Sequence, residues 1–183
     1  PWKLLLWAAA ASLALWALQI GYPLENALRV VRNSIHPTQA SGQIVLVGVD
    51  DESLKEIGSW PWPRTTQAKI IDSAREAGAD RLFFDFVLGG PTKPDEDRAF
   101  AAALARAGNV TLAVRDGGGG LSGLGTGPAG PVEMFARHTQ LASISIDYDY
   151  QGAAWYLRRQ APFGGRKVPT FAAAMAGGNQ RFG

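Results

Sequence analysis

The sequence predicts an α/β fold. It reads as a β-α-β-α-β core with a mostly parallel sheet and helices on both faces, followed by a C-terminal antiparallel strand pair and preceded by one transmembrane helix. Three observations predict this. Apolar runs of strand length recur at 43–49 (QIVLVGV), 80–88 (DRLFFDFVL) and 109–114 (NVTLAV). Near-continuous apolar runs suit strands buried on both faces, as in a parallel sheet. Helical periodicity fills the gaps between them, and a longer apolar run opens the chain.

That opening run comes first. Leu4 to Leu18 holds fourteen apolar residues and one Ser. A helix over 1–22 would be about 30 Å long, enough to cross a bilayer core. Lys3 at one end and Trp2, Trp7, Trp16 and Tyr22 fit interfacial anchoring, and Lys3 favours a cytoplasmic amino end. Residues 23–37 follow as a juxtamembrane helix ending at His36-Pro37. In it Leu24, Leu28, Val31 and Ile35 fall at helical spacing, with Glu25, Arg29, Arg32 and Asn33 off the stripe. The stripe suits either packing on the chain's own domain or a dimer seam.

The domain proper spans 38–183. After the first strand, 65–77 places Ile70, Ile71, Ala74 and Ala77 on one helical face, and Gly78 suits its C-terminal cap. Asp95 is the expected N-cap for 96–107, where Phe100, Ala103, Leu104 and Ala107 share a face and Gly108 closes the helix. Residues 117–131 form a Gly-rich, flexible loop. Runs at 141–147 and 154–160 read as an antiparallel pair, and 168–176 as a last helix with Pro169 in its first turn.

Composition bounds the function. The chain has 183 residues, one domain's worth, with 46% hydrophobic and 19% charged residues. A mean hydropathy of −0.04 conceals how far the apolar residues gather at the start. With no Cys, disulfides, Cys-ligated zinc, iron–sulfur clusters and thiol catalysis are excluded. A formal charge of +2 is too small for a nucleic-acid partner. Charge is uneven, with eleven acidic and six basic residues from Asp50 to Asp97, and five basic and no acidic ones from Gln151 onward. Neither Pro1 nor Gly183 resembles a natural terminus, so a piece of a longer protein is expected.

The candidate sites start with carboxylates. Asp50 and Asp51 end the first predicted strand, and Asp85 lies near the end of the second. Parallel neighbours would bring these ends together, where open α/β sheets bind ligands. Asp95, Glu96 and Asp97 follow. Such a set could hold Mg²⁺ or Ca²⁺, but the ligand count favours structural roles: helix caps at Asp50 or Asp51, and a pairing of Asp85 with Arg64 or Arg81. Next comes Trp60-Pro61-Trp62-Pro63-Arg64, a stiff stretch with two large ring surfaces. It suits the wall of a ligand pocket, with at least one Trp packed under the sheet. Arg64, a cation opening a helix, calls for a specific partner such as Asp50 or Asp85. The glycine loop has no Lys and no dinucleotide fingerprint, so nucleotide binding is rejected. His36 and His138 stand apart from any serine motif and cannot complete a three-His metal site.

Several of these motifs occur together in the order of a known family. Asp50-Asp51-Glu52-Ser53-Leu54 follows an apolar strand, and Gly58 precedes Trp60-Pro61-Trp62-Pro63-Arg64. Ala77-Gly78-Ala79 then leads into Phe84-Asp85. Asp95 comes with Ala101-Ala102-Ala103-Leu104, and Gly108-Asn109-Val110 follows. Later come Asp147 to Asp149, Arg158-Arg159 and Pro169-Thr170-Phe171. Over roughly 23–177 the chain resembles a CHASE2 sensor domain. The Gly-rich insert at 117–130 departs from that pattern.

The resemblance implies an extracytoplasmic sensory module of a bacterial transmembrane receptor, anchored in the inner membrane with its domain on the periplasmic side. It implies further membrane helices and a cytoplasmic output domain, such as a nucleotide or diguanylate cyclase, a phosphodiesterase or a kinase. It brings no catalytic residue, cofactor or metal. The candidate ligand-binding residues are Asp50, Asp51, Ser53, Trp60, Trp62, Arg64 and Asp85. The expected partners are a small extracellular ligand, membrane lipid and a second copy of the chain, but not nucleic acid. Two other functions compete: a metal-assisted phosphoesterase-like enzyme using Asp50, Asp51 and Asp85, and a purely structural dimerisation domain.

Overall fold

The apolar opening folds as α1, Trp2–Ala17. A computed structural model describes residues 2–17, 22–36, 39, 41–58, 60–116, 128–148, 154 and 157–177 of the chain. The chain divides into two compact units, Pro1–Val49 and Asp50–Gly183.

In the first unit, α1 is apolar on all sides, and Leu4, Leu5, Trp7, Leu13 and Trp16 are all exposed. Its 16 residues make about 24 Å of helix, short of a bilayer's ~30 Å apolar core. Among the described residues no helix is long and apolar enough to cross a membrane. The predicted span over 1–22 is therefore not found, and its residues 18–21 lie outside the described ones. A new helix, α2, starts at Tyr22 and runs to Ile35. Pro23 in its first turn suits a start, because no backbone N–H is needed there. Leu24, Leu28, Val31 and Ile35 are all exposed. Off that stripe Arg29 pairs with Glu25 at 3.3 Å, one turn apart.

Residues 43–49 form no strand, contrary to expectation. Ile44, Val45, Leu46 and Val47 are exposed, Leu46 at 92%. β-branched composition favours a strand, but a strand needs a ladder partner, and among the described residues this run has none.

The second unit begins with the short helix α3, Asp51–Ile57, then α4, Arg64–Glu76. β1 (Leu82–Phe84), α5 (Pro94–Ala107) and β2 (Val110–Val114) form a β-α-β unit. β3, Gln140–Ser143, follows the one-turn helix α6, Glu133–Ala136. The sheet order is β1-β2-β3, all parallel. In register, Phe84 lies beside Leu112 and Leu112 beside Leu141. Alternation then puts Leu82, Phe84, Val110, Leu112 and Leu141 on one face, against Ala68 and Ile71 of α4, Phe100 and Leu104 of α5 and Phe135 of α6. Phe83 points to the other face and meets Phe171, ring centroids 5.7 Å apart. Phe171 opens α7, Phe171–Gly177, so helices do cover both faces.

The antiparallel pair lies elsewhere than predicted. The run expected as its first strand supplies β3 and joins the parallel sheet. The pair is β4 (Gln160–Phe163) with β5 (Arg166–Pro169). Gly164 and Gly165, with φ of 57° and 78°, supply the two positive-φ positions that a two-residue hairpin turn requires. Pro169 therefore ends a strand and does not open α7. Of the predicted loop, 117–127 lies outside the described residues, and Ala129 bridges back to Arg115 through hydrogen bonds of 2.8 and 2.9 Å.

Candidate ligand-binding site

The parallel sheet leaves the carboxyl ends of β1, β2 and β3 side by side. The chain leaves β1 through Asp85, Phe86, Val87 and Leu88, β2 through Arg115, and β3 through Ile144, Ser145 and Ile146. These residues and the loop before α4 enclose a cavity of about 930 Å³. Its position is where ligands enter open α/β sheets, and its size is that of small-molecule sites.

One wall is aromatic. Trp60 stacks obliquely on Phe86, centroids 4.8 Å apart, and meets Trp62 edge-on at 5.7 Å. The series continues inward through Phe84, Phe100 and Phe135. Trp62 is buried, and its indole Nε1 donates to Gly58 O at 2.9 Å. Trp60 remains 41% exposed at the cavity. The expected division holds: one Trp is structural and the other faces the opening.

Behind this wall sits a buried polar network. Gln67 Nε2 donates to Trp62 O at 3.1 Å, and Arg64 Nη1 donates to Gln67 Oε1 at 3.0 Å. Arg64 Nε lies 3.6 Å from Asp97 Oδ1, an ion pair with both side chains buried. The guanidinium also lies over the rings of Phe135 and Phe100, at 5.4 and 5.8 Å. Asp97 in turn accepts from Thr92 N at 2.8 Å and Thr92 Oγ1 at 2.7 Å. Burial pushes the Arg64 pKa down, and the Asp97 charge opposes that. The partner of Arg64 is thus Asp97, not Asp50 or Asp85. Asp97 is thus a buried counter-ion, and Asp95 is not the expected N-cap: Lys93 holds that position without a side-chain cap, and Asp95 lies in the first turn of α5, paired with Arg98.

Trp60, Trp62, Arg64 and Asp85 come together in the cavity; Asp50, Asp51 and Ser53 do not line it. Asp50 caps α3. Its Oδ1 accepts from Ser53 Oγ at 2.6 Å and Ser53 N at 2.8 Å, and these bonds hold its pKa below the usual value. Asp51 occupies the first turn of the same helix. The proposed carboxylate cluster is therefore dispersed, and among the described residues no group of three or more His, Asp or Glu could hold a metal ion. That removes the basis for metal-assisted hydrolysis at these residues.

Sequence reasoning missed Arg115, Lys93, Phe86 and Tyr148, which also line the cavity, as does Glu96 of the predicted carboxylate set. Among the described residues Arg115 Nε is buried without a hydrogen-bond partner, as is Arg64 Nε behind the aromatic wall. The signal for it was positional: it follows directly on the strand beside β1.

A sandwiched parallel sheet with a ligand-sized cavity at its strand ends defines a small α/β binding domain. A family model described as the CHASE2 domain matches residues 4–181. The chain belongs to the CHASE2 domain family, a family of extracellular sensor domains. Comparison with curated proteins and with solved structures gives no match.

Proposed function

We propose that this chain is the extracytoplasmic sensing part of a membrane-bound bacterial receptor, and that the cavity at the strand ends receives its signal molecule. The cavity carries this reading. It is the right size, it combines an aromatic wall with charged groups, and a buried network holds its back wall rigid. The chain itself performs no catalysis. A cytoplasmic output domain, such as a cyclase, phosphodiesterase or kinase, reads the occupied state. α1, apolar on every side, is the segment that contacts inner-membrane lipid, with the second unit on the periplasmic side. The exposed stripe of α2 is the seam between two copies, and ligand shifts the population between two dimer arrangements.

Gly89 gives a test of the cavity. It lines the opening, and a Cβ added there meets nothing within 4 Å. Gly89→Trp should fill the cavity without straining the backbone. A panel of small polar metabolites should include compounds that raise the melting temperature of the wild-type chain. Those increments should vanish in Gly89→Trp. Increments that persist would place binding elsewhere. The seam has its own test: Leu24→Asp with Leu28→Asp should turn a dimer into a monomer by light scattering, and an unchanged mass would remove α2 from that role.

A further inference from the structure

If the cavity is the sensing site, as proposed above, its charges define what enters. Five charged side chains line it: Arg64, Asp85, Lys93, Glu96 and Arg115. Lys93 and Glu96 satisfy each other at 2.8 Å. Arg64 makes no hydrogen bond through Nε, but its charge is met from behind by Asp97 at 3.6 Å and its Nη1 donates to Gln67. One cation and one carboxylate remain. Neither Arg115 nor Asp85 has a side-chain hydrogen bond or ion pair among the described residues, with each other or with any neighbour.

An anionic ligand alone would satisfy Arg115 and leave Asp85 facing it. A cationic ligand alone would satisfy Asp85 and leave the buried Arg115 Nε without an acceptor. A ligand carrying both charges satisfies both. The planar guanidinium fork of Arg115 matches a carboxylate, and an ionised Asp85 accepts from an ammonium. Between them the wall is apolar: Trp60 against Phe86, with Leu88 and Ile144.

We propose that the cavity binds a zwitterion with an apolar body: a free amino acid with a large apolar side chain, or a short peptide with the same two termini. The carboxylate sits on Arg115, the ammonium on Asp85, and the side chain on Trp60 and Phe86. The volume of about 930 Å³ accommodates either source.

Calorimetry on the full chain tests this, with L-phenylalanine, L-leucine and the dipeptide Phe-Phe as probes. N-acetyl-phenylalanine lacks the ammonium, and phenylalanine amide lacks the carboxylate. Each capped analogue should bind at least about tenfold more weakly than phenylalanine. Asp85→Asn should lose sensitivity to acetylation only, and Arg115→Gln sensitivity to amidation only. Tighter binding of Phe-Phe than of phenylalanine assigns the peptide as the source, and the reverse assigns the free amino acid. If Arg115→Gln does not fold, Arg115→Lys keeps the charge, loses the fork and should still weaken phenylalanine. Equal affinity for phenylalanine and its N-acetyl form would overturn the proposal. So would silence of all amino acids and peptides while Gly89→Trp abolishes the effect of other compounds. That last pattern leaves the cavity as the sensing site and rejects only its ligand class. If Gly89→Trp abolishes nothing, the sensing site itself is wrong, and the proposal falls with it.

Discussion

Arg64 and Arg115 line one cavity, yet the protein treats the two guanidiniums in opposite ways. Arg64 is buried and paired, with Asp97 at 3.6 Å, Gln67 at 3.0 Å and two phenyl rings beside it, although its Nε makes no hydrogen bond. Arg115 stands at the end of β2 with its Nε likewise buried and, among the described residues, with no side-chain hydrogen bond or ion pair at all. The same contrast separates their carboxylates. Asp97 takes two hydrogen bonds from Thr92, whereas Asp85 takes none among the described residues. A protein that builds a rigid wall satisfies its charges internally. A protein that waits for a ligand leaves some unsatisfied, and that incomplete pairing is what a binding site adds to a core.

The largest expected effect breaks the settled side. Asp97→Ala strands a buried guanidinium and removes both acceptors of Thr92. Breaking a buried pair from one side costs about 3–5 kcal/mol. Urea denaturation should show a lower midpoint of that size at an unchanged slope. The matched control is Asp95→Ala two residues earlier. Its pair with Arg98 is exposed, and such pairs are worth about 0–1 kcal/mol. Equal losses in the two variants would mean that Arg64 is not anchored by Asp97, and the contrast between the two guanidiniums would collapse.

How far this was legible in the sequence depends on whether a feature is periodic or relational. α5 was legible because Phe100, Ala103, Leu104 and Ala107 all lie on its buried face, and helical spacing is a property of the segment alone. The run at 43–49 was misread because strand composition says nothing of a partner. β3 was assigned to the wrong sheet for the same reason. The Gly164-Gly165 pair, in contrast, was a local hairpin signal that went unused. At the site, Trp60, Trp62, Arg64 and Asp85 were found because a stiff Trp-Pro stretch and a strand-end carboxylate carry their own marks. Asp50, Asp51 and Ser53 were placed with them on the strength of a first strand that does not form. Arg115 was missed because it has no motif. Only the pairing of Phe84 with Leu112 shows that β2 ends beside β1.

The smaller effect sharpens the unsettled side, and its sign is opposite. Burial raises the Asp85 carboxyl above its usual value of 3.8. The folded chain therefore holds that proton more tightly than the unfolded one. The carboxyl's contribution to stability is fully present below the usual value, and it is lost as pH rises through the raised one. At neutral pH an ionised Asp85 with no partner thus weakens the fold. Asn has the same shape and no charge, so Asp85→Asn should be more stable than the wild-type chain at pH 7. Asp85 remains largely accessible at the cavity, so solvent screens it and the gain stays under about 1 kcal/mol. The gain should shrink as pH falls and vanish below the usual carboxylate value. A loss of stability at pH 7 would mean that Asp85 is internally paired after all. A gain accompanied by weaker binding of phenylalanine would show one side chain costing the fold stability for the sake of the site. Asp97, which accepts two hydrogen bonds from Thr92 and faces the buried Arg64, offers no such exchange: truncating it only subtracts.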